Sequence, residues 1–375
     1  MLADMRAASP AQLPVLAMHR RQEFDLRRSI QWTGGAMAPL AGRLPSPPRL
    51  EWLEAVKYWN KGGRSPVWFV ADPLRSDLAL VDRSGPRRSY RWPVPFPGLL
   101  GGVRPGVMDW YTFHQPGWYL GEGWSLTPET AGVSARTGRG PGRAPIEGWI
   151  RRRPEPLTLM IGGRNFTGAA ARVRVALDGR TVDELDVPPG FFLRMAALPA
   201  GSVSGDGDYA AMAVAAEPAG MPSGAAGPGG AGDVAIEQFE AQSAGHVLFG
   251  FGDGWHEQEY NPSTGALWRW TSERAAILVR AEGHALTLTV SGESEASGQS
   301  RVVVRVGDRI IAEQDIGRSF AIRATVPAAV FGPGESTIMI ETNRTYVPAE
   351  RRWPRSRDQR RLGLKVTQVE MTPAF

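Results

Sequence analysis

The chain has 375 residues, a net charge of +5 and a pI near 9.8, with 42% hydrophobic residues and no cysteine. This length calls for two or three domains rather than one, and the apolar content is enough for real cores, which excludes wholesale disorder. The absence of Cys excludes disulfides, thiolate zinc sites and Cys nucleophiles.

No run of about 18 apolar residues is present, so no helical membrane span is expected. Met1 to Arg21 lacks the apolar stretch of a signal peptide. Taken as it stands, the chain reads as soluble and cytoplasmic. Taken as a piece of a longer protein, with an export signal upstream, it reads as extracytoplasmic and part of the cell envelope. The positive charge is almost all Arg, since Lys57, Lys61 and Lys365 are the only lysines. Arg presents a planar fork to carboxylate or phosphate, although genomic GC bias gives the same excess. No RNP-type aromatic motif, zinc-finger spacing or helix-turn-helix signature accompanies it, so no nucleic-acid partner is expected.

In chain order, residues 1–48 are mixed and end in the Pro-rich Leu44-Pro-Ser-Pro-Pro48. Trp52, Leu53, Val56 and Trp59 recur at helical spacing, and Gly62-Gly63 stops that helix. Val67–Val70 and Leu78–Val81 read as buried strands, and Arg87–Pro97 as an edge strand interrupted by prolines. Residues 1–102 therefore form an N-terminal segment with a linker and a small α/β element.

From about Val103 the pattern is all-β, and it repeats. Arg172-Val-Arg-Val-Ala-Leu-Asp-Gly-Arg180 aligns with Arg301-Val-Val-Val-Arg-Val-Gly-Asp-Arg309. The match runs on without a gap to Phe191 against Phe320 and Arg194 against Arg323. Both segments read as a hairpin with a two-residue turn at Asp178-Gly179 or Gly307-Asp308. Gly121-Glu-Gly-Trp124 matches Gly252-Asp-Gly-Trp255, Leu157–Ile161 matches Leu286–Val290, and Ile236–Glu240 matches Val366–Glu370. The expected organisation is two tandem copies, 103–243 and 244–375, each an antiparallel, jelly-roll-like β-sandwich. The overall class is mainly β. Ala219–Gly232 is a Gly/Ala/Pro loop inside the first copy.

The densest polar and aromatic cluster is Trp255, His256, Glu257, Glu259 and Tyr260, followed by Trp268, Arg269 and Trp270. A pyranose stacks its C–H face on an aromatic ring, and its hydroxyls bond to forked polar groups, so this set suits a sugar. The competing reading is a sandwich core with Trp inside and charges outside. Alternation along Trp268-Arg269-Trp270 puts both Trp on one face in either case. His256 and Glu257, beside a Gly-rich turn, are expected to be exposed. The first copy keeps Glu122 and Trp124 but lacks the His-Glu-Gln-Glu run. Glu257 and Glu259 could serve a hydrolase or lyase as a carboxylate pair, but any acidic strand offers that spacing. The five histidines show no metal-ligand spacing, so neither metal nor cofactor is expected, and Asp206-Gly-Asp208 reads as a turn rather than a calcium loop. Arg351–Arg361 carries six Arg and one Trp, and reads as a loop between strands that could touch an anionic ligand.

Gly250-Phe-Gly-Asp-Gly-Trp-His-Glu-Gln-Glu-Tyr-Asn-Pro262 with Leu267-Trp-Arg-Trp-Thr-Ser272 resembles the extracytoplasmic C-terminal regions of bacterial polytopic glycosyltransferases. The families in question are the dolichyl-phosphate-mannose:protein mannosyltransferase-like and aminoarabinose transferase-like enzymes. Val67–Pro73 with Asp77–Asp82 is similar to the segment preceding those regions, so the likeness covers most of 50–375. In those enzymes the catalytic acids sit in loops between membrane helices, so no catalytic residue carries over. The resemblance implies a non-catalytic, carbohydrate-contacting accessory region, with a glycan or polyprenyl-phosphate sugar and a membrane-embedded glycosyltransferase portion as partners. A purely structural module is the other alternative.

Overall fold

The computed structural model describes residues 81–82, 115–121, 124, 145–219, 234–259, 268–296, 298–350 and 356–374. It also describes the backbone of 67–71, 87–96, 102–113, 260 and 267. The expected helix over 51–59, residues 78–80, most of the Gly/Ala/Pro loop and Arg351–Arg355 lie outside these residues.

Three strands come first: β1 (Val67–Ala71), β2 (Arg87–Phe96) and β3 (Gly102–Phe113). They form an antiparallel sheet in the order β1-β3-β2. β2, with Pro93 and Pro95, is an edge strand, where missing ladder donors cost least; the central β3 carries one proline, Pro105, opposite Pro93. β3, whose sequence suggests the start of the first copy, pairs instead with β1 and β2.

The following strands are β4 (Trp118–Leu120), β5 (Ile146–Arg151), β6 (Leu157–Asn165), β7 (Ala171–Leu177), β8 (Arg180–Val187), β9 (Gly190–Leu198), β10 (Tyr209–Pro218) and β11 (Val234–Ser243). Then come β12 (Leu248–Phe251), β13 (Trp255–Tyr260), β14 (Leu267–Thr271), β15 (Arg274–Arg280), β16 (Leu286–Ser294), β17 (Ser300–Val306), β18 (Arg309–Ile316), β19 (Ser319–Val326), β20 (Glu335–Thr342) and β21 (Leu364–Pro373). The chain groups into two compact units: 1–122 with 147–152 and 205–211, and 123–146 with 153–204 and 212–375. The two antiparallel β-sandwiches are built from sheets β4-β5-β10-β7-β8 and β11-β6-β9, and from sheets β12-β15-β20-β17-β18 and β13-β14-β21-β16-β19.

The alternation that makes a strand half-buried is plain in β7, β16 and β17, where every second side chain is buried. In the second sandwich, Leu286, Leu288 and Val290 of one sheet meet Val302, Val304, Ile338 and Ile340 of the other in one core. Each such side chain contributes about 1.5–3 kcal/mol on burial.

In strand order, β6 to β11 stand where β16 to β21 stand, while the second sandwich extends one sheet by β13 and β14 beyond β21. The two sandwiches also share their irregularities. β7 and β8 slip register between Val175 and Ala176, and β17 and β18 slip between Val304 and Arg305. β6 and β11 carry a bulge at Ile236/Gln238, and β16 and β21 one at Ser291/Gly292. A Cβ on Gly163 would overlap the Ala235 carbonyl, and one on Gly292 the Lys365 carbonyl. The same close approach explains the same residue at both bulges. The turns follow their sequences: Asp178 and Gly179 both have positive φ, as a type I′ turn requires, while Gly307 alone is positive in its turn.

One expectation is corrected. Arg164 pairs with Phe191 in the first sandwich, while its counterpart Glu293 pairs with Ser319 in the second. The match therefore has a one-residue gap before β9. Buried Phe192, not Phe191, stands in the place of buried Phe320.

Candidate functional site

The cluster singled out from sequence lies on β13 and β14, at one edge of the sheet β13-β14-β21-β16-β19. The bulge between Trp255 and Gln258 separates its members. Trp255 enters the core and gives its Nε1 hydrogen to the Ala276 carbonyl at 2.9 Å. Glu257 faces Arg164 of the first sandwich, 3.5 Å away. Glu259 accepts a 2.7 Å bond from Arg360, which also grips Asp358 at 2.7 Å. His256 Nε2 lies 3.3 Å from the Arg361 carbonyl. His256 and Glu257 are half-buried rather than exposed. Tyr260 is described by its backbone alone, and Glu122 lies outside the described residues. Trp124 is buried and stands edge-on to Phe239 in the first sandwich.

The alternation of Trp268, Arg269 and Trp270 holds, but its sense is opposite to a Trp-inside core. Arg269 pairs with Val366, a core residue, and Trp270 with Lys365. Residues directly opposite share a face, so Arg269 points to the core side and both Trp point away from it. Trp270 is covered there by Tyr346, edge-on at 5.9 Å. Trp268 is half-buried, with the Lys365 ammonium 4.3 Å from its ring centroid. Its Nε1 is buried without a hydrogen-bond partner.

Arg269 is drawn inward by its surroundings. Its guanidinium sits 4.7 Å over the Phe251 ring and donates to the His256 carbonyl at 3.3 Å. Burial pushes it down to about 10, against the attraction of Glu237 and Glu257. Glu237 is pushed up, by burial first, against the pull of Arg164. Arg164 lies 3.7 Å from Glu237, so Arg164, Glu237, Glu257 and Arg269 form a largely buried charge quartet between the sandwiches.

The quartet sits beside an apolar contact of Met160, Met195 and Leu193 with Leu248 and Leu278. Gln238 clamps the contact. Its Nε2 donates to the Phe251 carbonyl at 2.8 Å, and its Oε1 accepts from the Phe251 amide at 2.9 Å.

Arg164, Glu237, Gln238, Asp358 and Arg360 are site residues that no sequence motif singles out, and Lys365 stands out in the sequence only as a rare lysine. A usable signal was there: in the aligned copies Arg164 stands against Glu293 and Glu237 against Thr367. Charge that differs between otherwise matching strands marks a face with a changed environment.

The molecule is defined here as an antiparallel β-sandwich protein. No family model and no curated protein matches the chain. Among solved structures, similarity is found to the M60 catalytic domain with two CBM51 domains from Clostridium perfringens. The identity is 8% and the TM-score 0.18, over 77% of this chain and 42% of that one. A GH2 β-galacturonidase from Eisenbergiella tayi bound to galacturonate gives 12% and 0.19, over 72% and 45%. A β-glucuronidase from an uncultured Clostridium gives 9% and 0.19, over 78% and 45%. The chain spans less than half of each of these, and likeness this slight carries no argument about function.

Proposed function

We propose that the chain is a non-catalytic accessory region that contacts carbohydrate through the outer face of the sheet β13-β14-β21-β16-β19. One contrast carries this reading. The corresponding outer face of the first sandwich is apolar at Met160, Leu193 and Met195, and is spent on packing against the second. The second sandwich carries Thr289, Ala321 and Arg323 in those places. Around them Thr287, Ser291, Glu293, Thr325, Gln368 and Glu370 line up across β19, β16 and β21. At one end of the same face stand Trp268, Lys365 and Glu259. A polar lattice beside a ring suits sugar hydroxyls and C–H faces.

The hydrolase reading needs a carboxylate pair aimed at one bond, whereas Glu257 and Glu259 answer to different arginines, Arg164 and Arg360. A parent membrane glycosyltransferase with a polyprenyl-phosphate sugar, and a place in the cell envelope, remain part of the proposal and rest on the sequence resemblance alone. Titration calorimetry against a glycan panel tests it. Binding to at least one glycan, weakened about tenfold or more in Trp268→Ala, is expected. No heat with any glycan would reduce the chain to a structural module, the reading favoured by the Arg164–Glu257 tie between sandwiches.

A further inference from the structure

The Arg-rich segment before β21 extends the proposed carbohydrate face. Its described part, Ser356–Gly363, is fixed at three points, two of them on β13. His256 meets the Arg361 carbonyl, Arg360 meets Glu259, and the Tyr346 and Leu362 backbones pair with each other. Arg360 is fully occupied by Asp358 and Glu259, and offsets one of their two negative charges. Burial, aided by the charges of Arg360 and Arg164, holds His256 below its ordinary value, so it adds no charge at neutral pH.

Three cations are left over. Arg357 and Arg361 are exposed, and no carboxylate pairs with either among the described residues. Lys365 is held over Trp268 rather than in an ion pair, with Glu293 as its cross-strand neighbour. The unspent groups are thus mainly donors: two guanidinium forks and an ammonium. Against them stand Glu293 and the one negative charge that Glu259 and Asp358 carry in excess of Arg360, so the cations prevail by one.

Resting on the carbohydrate-contact reading, we propose that this end of the face selects a carboxylate-bearing sugar. Arg357 and Arg361 would take the carboxylate, and Lys365 with Trp268 the ring that carries it. Arg forks match a planar carboxylate with two charge-assisted hydrogen bonds, roughly twice as strong as those to the neutral hydroxyls of an uncharged sugar.

The full chain is titrated with an oligogalacturonate of defined length, its methyl ester and neutral gluco-oligosaccharides, and separately with vesicles containing phosphatidylglycerol. The acid should bind at least about tenfold more tightly than its ester, with the margin shrinking as salt rises. The double variant Arg357→Gln/Arg361→Gln should erase the margin. Both side chains are exposed, so its thermal midpoint should match the parent's. Lys365→Gln should reduce the margin in part. Equal binding of acid and ester, or binding of neutral sugars only, overturns the inference and leaves the carbohydrate reading standing. Failure of every sugar overturns both. Binding of anionic vesicles without oligogalacturonate overturns the inference in favour of a membrane surface.

Discussion

Arg269 shows what a single inward charge demands. Its guanidinium lies among Phe251, Glu237, Glu257 and the His256 carbonyl, and burial, with Arg164 nearby, pushes it down to about 10 against the attraction of the two carboxylates. Glu237 is buried as well and keeps one carboxylate oxygen without a partner. Removing one member of a buried set costs more than the set contributes, because the remaining charge loses its compensation. Arg269→Ala should therefore destabilise the second unit by about 3 kcal/mol, read from urea unfolding at neutral pH. His256 gives a complementary pH signature. Burial, with Arg360 and Arg164 nearby, keeps its folded pKa below 6.5, so the unfolded chain protonates first as pH falls. Its contribution is present above about pH 6.5 and lost as pH falls through the folded value. Glu237 acts in the opposite sense: its folded pKa is raised, so its contribution is lost as pH rises through that value. Comparing the chain with His256→Gln isolates the histidine. The parent should lose stability faster than the variant between about pH 7 and pH 5, and parallel curves would contradict this assignment.

At the scale of elements, the most legible features were those in which the sequence has to solve a local problem. Asp178-Gly179 and Gly307-Asp308 announced two-residue hairpins because positive φ is costly elsewhere. The bulge glycines were not legible, since nothing near Gly163 or Gly292 says that a carbonyl from another strand will approach. Gly163→Ala and Gly292→Ala should each cost roughly 2 kcal/mol or more, by forcing the bulge open. Circular dichroism melts would show it, and an unchanged midpoint for either would mean that the bulge relaxes freely. The sense of the Trp268-Arg269-Trp270 strand was hidden for a related reason. Period two says which side chains share a face, but not which face is the core, and that is set by the pairing of Arg269 with Val366. Much of the Arg excess has an ordinary destination in cross-strand pairs such as Arg172–Asp186, Arg174–Glu184 and Arg305–Glu341. Exposed pairs of this kind contribute little each, which leaves Arg357 and Arg361 as the more telling arginines.

At the scale of the whole second unit, the contact between the sandwiches decides whether they behave as one body. Three independent contributions meet there: the Met160, Met195 and Leu248 contact, the two hydrogen bonds of Gln238 to Phe251, and the charge quartet. Gly250 closes the seam, because a Cβ there would press on the Met160 sulfur and on Leu193. Those neighbours are side-chain atoms that can move aside, so a larger residue would wedge the faces apart without breaking either sheet. Hydrogen bonds shared by the two sandwiches make the opening of one expose polar groups of the other, which couples their unfolding. The parent should therefore unfold the two sandwiches in one cooperative transition. Gly250→Leu combined with Gln238→Ala should separate it into two, with amide protection falling first at Phe251 and along β12. Calorimetry combined with hydrogen exchange reads both quantities. A single transition that persists in the double variant, with protection at Phe251 intact, would show that the sandwiches are coupled elsewhere.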